Sequence, residues 1–171
     1  MQLYRLIARL LDYPDAELFK HLSVMKESLE SDPSIPEQER KTIVDFLTWM
    51  GMHTLIGLQE TYVQTFDMTP EHDLHLTHHL FGDDRGRGPA LVDLGEHYRS
   101  AGLELEDGEL PDYLPLILEY VSTLDEMEAR IFLGDARKVL TVLAENLEKA
   151  GSPYSRLIRI IESRGHLARA A

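Results

Sequence analysis

Two stretches, Tyr62–Gly88 (YVQTFDMTPEHDLHLTHHLFGDDRGRG) and Glu109–Glu119 (ELPDYLPLILE), interrupt a chain that otherwise scans as one amphipathic helix after another. Around them apolar residues recur three and four apart, the spacing that lines one face of a helix. No segment alternates apolar and polar with the period of a strand. The fold class that follows is all-α, a single-domain multi-helix bundle.

Working outward, Leu3, Leu6, Ile7, Leu10 and Leu11 share a helical face that Tyr13-Pro14 closes. Leu18, Leu22, Met25 and Leu29 form the stripe of a second helix, with Phe19 beside it. Ser34 with Glu37 reads as a capping box for a third, which carries Ile43, Phe46, Leu47 and Met50 towards Gly51. Residues 53–66 form a further helix bearing Leu55, Leu58, Tyr62 and Phe66. Thr69-Pro70-Glu71 reads as a cap, a first helical proline and an acidic first turn, predicting a helix to Phe81 that stops near Gly82. After the Arg/Gly turn a helix restarts near Pro89 with Leu91, Leu94 and Tyr98. An acidic loop over 102–108 leads to a helix from Pro111-Asp112 with Leu114, Ile117, Leu118 and Val121. The segment 123–150 is helical by period, with a kink expected at Gly134, and Leu157, Ile158 and Ile161 mark the last helix. One helical domain over 1–165 with a loose tail over 166–171 is the sum.

Acidic residues outnumber basic ones 30 to 17, a formal charge of −13 that disfavours nucleic acid and anionic lipid and attracts basic segments. Without cysteine there are no disulfides, thiolate metal sites or cysteine nucleophile. No apolar run approaches membrane-span length, and the N-terminus has no uninterrupted signal-peptide core. The expected compartment is the cytoplasm.

On a regular helix over 70–81, His72, His75, His78 and His79 gather on one side, with His75 and His79 at i, i+4 and Asp73 elsewhere. A divalent-metal centre, even a metal-dependent hydrolase using His72, His75 and His79, is one reading. It lacks an HExxH and a third or fourth convergent ligand. The plainer reading, a polar helix face opposite an apolar one, outweighs it. Arg85 and Arg87 sit among glycines that could cup an anion, but in so acidic a chain they are expected to pair with Asp83, Asp84 or a carboxylate elsewhere. Asp112, between Pro111 and Pro115, reads equally well as the cap of its own helix or, with Tyr113, as one wall of a binding groove.

The opening RLIARLLDYPDAEL, the block YVQTFDMTPEHDLHLTHHLFGDDRGRGPALVDL and ELPDYLPLILEY resemble the NarJ-type (nitrate reductase delta subunit) branch of the molybdoenzyme-maturation chaperones. Relatives of that branch serve trimethylamine-oxide and dimethyl-sulfoxide reductases. ELPDYLP is similar to their E-P-D-H-x motif, with Tyr113 where they carry histidine. The resemblance implies an all-helical, TorD-like chaperone with no catalytic residues and no cofactor of its own. Its expected partner is the apo catalytic (alpha) subunit of a respiratory nitrate reductase. It would bind that subunit by a basic N-terminal segment and keep it competent for molybdenum cofactor insertion, without membrane insertion. A homodimer is compatible with it. The candidate client-peptide groove comprises Tyr62, Phe66, His72, His75, Arg85, Pro111, Asp112, Tyr113 and Leu114, of which Tyr62, Phe66 and Leu114 are equally readable as core.

Overall fold

Caps and apolar stripes divide the chain into nine α-helices among the described residues of the computed structural model, which are 2–81, 85–105 and 108–165. They are α1 (Gln2–Leu11), α2 (Ala16–Glu30), α3 (Glu37–Gly51), α4 (Leu55–Tyr62), α5 (Leu76–Phe81), α6 (Arg87–Ser100), α7 (Leu114–Thr123), α8 (Glu126–Lys149) and α9 (Ser155–Arg164). No strand occurs among these residues, and none of the helices is long and apolar enough to cross a membrane. The all-α expectation holds. The loose tail expected over 166–171 lies outside the described residues.

The stripes read from sequence pack inward. Ile7, Leu10, Leu11, Ile43, Leu118, Leu140, Leu143, Leu157 and Ile158 are fully buried, and the apolar cluster draws on all nine helices. The most extensive pairings are α8 with α9, α1 with α7 and α2 with α3. Aromatic rings fill the centre. Tyr154 meets Phe46, Phe66 and Trp49 edge-on at centroid distances of 5.1, 4.9 and 5.7 Å, arrangements favoured by the ring quadrupole. Polar ties cross between helices at the edges, as where Arg164 on α9 pairs with Glu39 on α3 at 2.6 Å.

Several local expectations change. The third helix starts at Glu37 behind Pro36, not on a Ser34–Glu37 capping box. The Asp32 carboxylate takes the Ser34 N–H instead, at 2.8 Å, and forms a turn. A true capping box stands at α8, where Asp125 and Glu128 each accept the other's backbone N–H. Helix α8 runs unbroken through Gly134, whose role is to admit a neighbour: a Cβ there would lie 3.2 Å from the Gly165 carbonyl oxygen. Helix α4 ends at Tyr62 and continues as a π-helical turn, Val63–Asp67.

The largest departure falls between 70 and 81. One predicted helix is in fact a single 3₁₀ turn, Pro70–His72, then extended backbone, then the short α5. Its physical cause lies far along the chain. Leu76 N–H donates to the Asp112 carbonyl (3.0 Å) and Leu114 N–H donates to the Leu74 carbonyl (2.9 Å), so His75 and Tyr113 form an isolated antiparallel bridge. Those interchain-like bonds replace the local ones a continuous helix would have made.

Candidate functional site

This bridge brings the two unusual stretches together, and Asp112 secures the junction. The residue is wholly buried. Its Oδ2 accepts the Thr77 hydroxyl and the Thr77 N–H, the latter at 3.1 Å. Because Thr77 is the second residue of α5, Asp112 caps that helix from 35 positions away, satisfying a donor that a helix start leaves orphaned. Arg87, at the start of α6, donates from Nε to the Thr77 hydroxyl (3.1 Å) and stands 3.6 Å from the Asp112 carboxylate. The other oxygen, Oδ1, is buried without a hydrogen-bond partner among the described residues. Asp112 therefore does not cap its own helix. Tyr113 occupies that position and makes no side-chain cap bond.

Beside this junction opens a cleft of about 300 Å³. Its aromatic walls are Tyr13, Tyr62, Phe66 and Tyr113, and its carboxylates are Asp12, Asp67, Asp73 and Glu109, with Leu74 and His75 completing it. Tyr13 packs edge-on to Tyr62 at 5.5 Å and is 44% exposed, so its ring faces solvent at the mouth. Tyr62 and Tyr113 join hydroxyls at 2.8 Å; Tyr62 also donates to the Leu11 carbonyl (3.0 Å) and Tyr113 to Asp12 (3.1 Å). Burial pushes both phenols well above their ordinary range, so they stay protonated at physiological pH.

His75 lies between two acids. Its Nδ1–H donates to Asp73 at 2.7 Å, and Nε2 is 4.0 Å from Glu109. The hydrogen bond to Asp73 raises the imidazole pKa against the opposing effect of burial, and the charges of Asp73, Asp112 and Glu109 add to the rise. For Asp73, burial pushes the carboxyl up, but hydrogen bonds from the His75 ring and backbone outweigh it and hold the pKa low. The expectation that Asp73 stands apart from the histidines is corrected: with the helix broken, its side chain turns back onto His75.

The histidine face likewise dissolves. His72 is buried and donates from Nδ1 to the Thr65 carbonyl (3.0 Å), and His79 donates to the Asp73 carbonyl (2.6 Å). His75 precedes α5, so the i, i+4 geometry with His79 does not exist. Among the described residues, no group of three or more His, Asp or Glu is arranged to hold a metal ion.

A larger hollow of about 640 Å³ lies on α1, α3, α8 and α9. Its two arginines are already committed, Arg164 to Glu39 at 2.6 Å and Arg130 to Glu126 at 2.5 Å. Size alone does not make it the better candidate, since neither unusual stretch contributes to it.

The sequence profile of the nitrate reductase delta subunit family matches residues 32–158, most of the chain and all of both stretches. The chain belongs to the nitrate reductase delta subunit family. Among curated relatives, the nitrate reductase molybdenum cofactor assembly chaperone NarJ of Escherichia coli (strain K12) is 35% identical over 156 residues, 91% of this chain and 66% of that protein. The probable chaperone NarW of the same strain is 32% identical over 154 residues, 90% of this chain and 64% of its own length. The probable chaperone NarJ of Bacillus subtilis (strain 168) is 31% identical over 152 residues, 89% and 82% respectively. This delta subunit family member thus spans just under two thirds of the length of the two E. coli relatives.

Of the nine candidate groove residues, Tyr62, Phe66, His75 and Tyr113 line the cleft. Pro111, Asp112 and Leu114 are buried behind it, the Pro111 carbonyl taking the Tyr98 hydroxyl. His72 is buried in its own hydrogen bond, and Arg85 is exposed away from the cleft lining. Pairing of Arg85 or Arg87 with Asp83 or Asp84 lies outside the described residues; Arg87 does find a distant carboxylate, Asp112. Sequence reasoning missed Asp12, Tyr13, Asp67, Asp73 and Glu109. The Asp12-Tyr13-Pro14 triplet was the available signal: it reads as a helix stop, but it also sets an acid and an aromatic ring where a helix ends.

Proposed function

We propose that this chain is an assembly chaperone for a respiratory nitrate reductase. It binds the N-terminal segment of the apo catalytic subunit in the cytoplasm and keeps that subunit competent for molybdenum cofactor insertion. It acts by binding, not by catalysis. The observation that carries the reading is the cleft itself, four carboxylates around three phenols on a protein of formal charge −13. A basic segment is what such a surface attracts, with charge speeding encounter and aromatic area supplying affinity. The names carried by the relatives, molybdenum cofactor assembly chaperones of nitrate reductase, supply the client.

Within this reading Tyr13, Tyr62, Tyr113 and His75 touch the client. Asp112, Thr77 and Arg87 position Tyr113 by locking the bridge between the stretches. Calorimetry with a synthetic peptide of the catalytic subunit's N-terminal segment tests binding. The expected result is saturable one-to-one binding that weakens as salt rises. In cells lacking this chain, the reductase is expected to lose bound molybdenum cofactor. A reductase fully loaded in its absence would overturn the proposal.

A further inference from the structure

We infer that His72 is a positioning residue of the cleft, a clasp that ties two of its walls together without touching what binds there. The inference rests on the chaperone reading only for its binding readout.

Cleft residues stand on both sides of His72 in the chain. Phe66 and Asp67 before it, and Asp73, Leu74 and His75 after it, all line the cleft. His72 itself is 8% exposed and does not. Its Nδ1 reaches back seven positions to the Thr65 carbonyl, at 3.0 Å. A carbonyl only accepts, so Nδ1 carries the hydrogen. One hydrogen bond thus joins the wall on the π-helical turn to the wall on the extended segment.

Local chemistry shows why side chains have to do this. Pro70 has no N–H and turns Thr69 out of the helical region, to φ −126° and ψ 96°. The backbone therefore runs out of donors for the last carbonyls of the turn. Thr69 gives its hydroxyl to the Gln64 carbonyl (3.0 Å), and His72 gives its ring N–H to Thr65. Asn146 on α8 donates to the Glu71 carbonyl at 3.2 Å, which holds the 3₁₀ turn bearing His72 from its other side.

The register of the turn is what the clasp fixes. On an α-helix Asp67 would stand about 140° round the axis from Tyr62, five residues on at about 100° each. The wider turn, closed by the Met68 N–H on the Val63 carbonyl at 3.0 Å, brings residues five apart nearly onto one face. Asp67 and Tyr62 consequently reach the same cleft. Without the clasp the Thr65 carbonyl turns to water, the turn loosens and the two walls part.

Three replacements separate the donor from the bulk of the ring. His72→Asn keeps an N–H where Nδ1 stands, His72→Gln moves it one carbon further out, and His72→Leu fills the space with no donor. Hydrogen exchange at the Met68 N–H reads the turn in the free chain, and calorimetry with the client peptide reads the cleft. His72→Leu and His72→Gln are expected to speed Met68 exchange and weaken peptide binding, each by about three- to tenfold, the effect of losing one hydrogen bond. His72→Asn should restore both. Thr69→Val leaves the buried ring in place, is expected to act in the same direction, and carries the test if the His72 variants do not fold. Asp125→Ala, at the start of α8 and outside the cleft lining, should change neither readout. Equal behaviour of His72→Asn and His72→Gln, a silent His72→Leu, or an equal loss of affinity in Asp125→Ala would overturn the assignment. If the wild-type chain does not bind the peptide, the chaperone reading fails, and Met68 exchange still decides the role of His72.

Discussion

Replacing Asp112 probes the junction on which both unusual stretches depend. In Asp112→Ala the Thr77 N–H and hydroxyl lose a charged acceptor inside a site that excludes water, Thr77 being 5% exposed and Asp112 not at all. Hydrogen bonds to charged groups contribute about 1.5–3 kcal/mol each, and Arg87, a quarter exposed, loses its carboxylate at 3.6 Å. Against that, the mutation removes a buried charge whose desolvation costs several kcal/mol and whose Oδ1 has no partner. The net expectation is a loss of about 2–4 kcal/mol, or about 5–15 °C at roughly 2–4 °C per kcal/mol for a chain of this size. Asp112→Asn keeps an acceptor and should lose about half as much. Urea unfolding followed by circular dichroism measures the difference, and a double-mutant cycle with Thr77→Ala isolates the cap. A coupling of about 1–2 kcal/mol is expected for groups in direct contact. Strict additivity, or a loss below about 0.5 kcal/mol, would refute the idea that this carboxylate caps α5 in trans.

His75 gives two pH effects of opposite sign. Its folded pKa is raised above the ordinary imidazole value of about 6.5. The stability it contributes is therefore complete below that value and lost as pH rises through the folded pKa. Comparison with His75→Gln in urea melts across pH 5.5–8.5 (about that window) should show the loss, while affinity for a basic peptide rises over the same window as the imidazolium beside Asp73, Glu109 and Asp112 discharges. A pH-independent difference between wild type and His75→Gln would refute this. Gly165→Ala sets a Cβ 2.7 Å from the Leu133 carbonyl oxygen, although a φ of −74° suits any residue. The close approach of α9 to α8 should cost about 1–3 kcal/mol in thermal melts, whereas Gly88→Ala, with nothing within 4 Å, should not destabilise in them. Asp125→Ala removes the capping box of α8 and should cost about 1 kcal/mol by urea unfolding; an unchanged midpoint would mean the cap is idle.

Apolar spacing of three and four residues decided the helices, because burying one face of each is the dominant favourable term and it is written locally. Leu10, Ile43, Leu118 and Leu157 are core residues on that ground, and all are buried. The unusual stretches, too, were legible as unusual, and their residues carried the family resemblance. Local rules failed where a distant partner outbid a near one. Nothing in DMTPEHDLHL says that Leu76 will give its N–H to Asp112 rather than to the residue four before it. With that exchange the predicted helix over 70–81 breaks, the histidines scatter and Asp73 turns onto His75. Nor does DYP announce that Asp12 and Tyr13 will stand across from Glu109 and Tyr113. The sequence alone determined the apolar stripes that are buried and most of the segments that are helical, since both follow from neighbours along the chain. Only the tertiary structure decided which charges and rings face one another, since contacts across 35, 51 and 101 positions have no period to read.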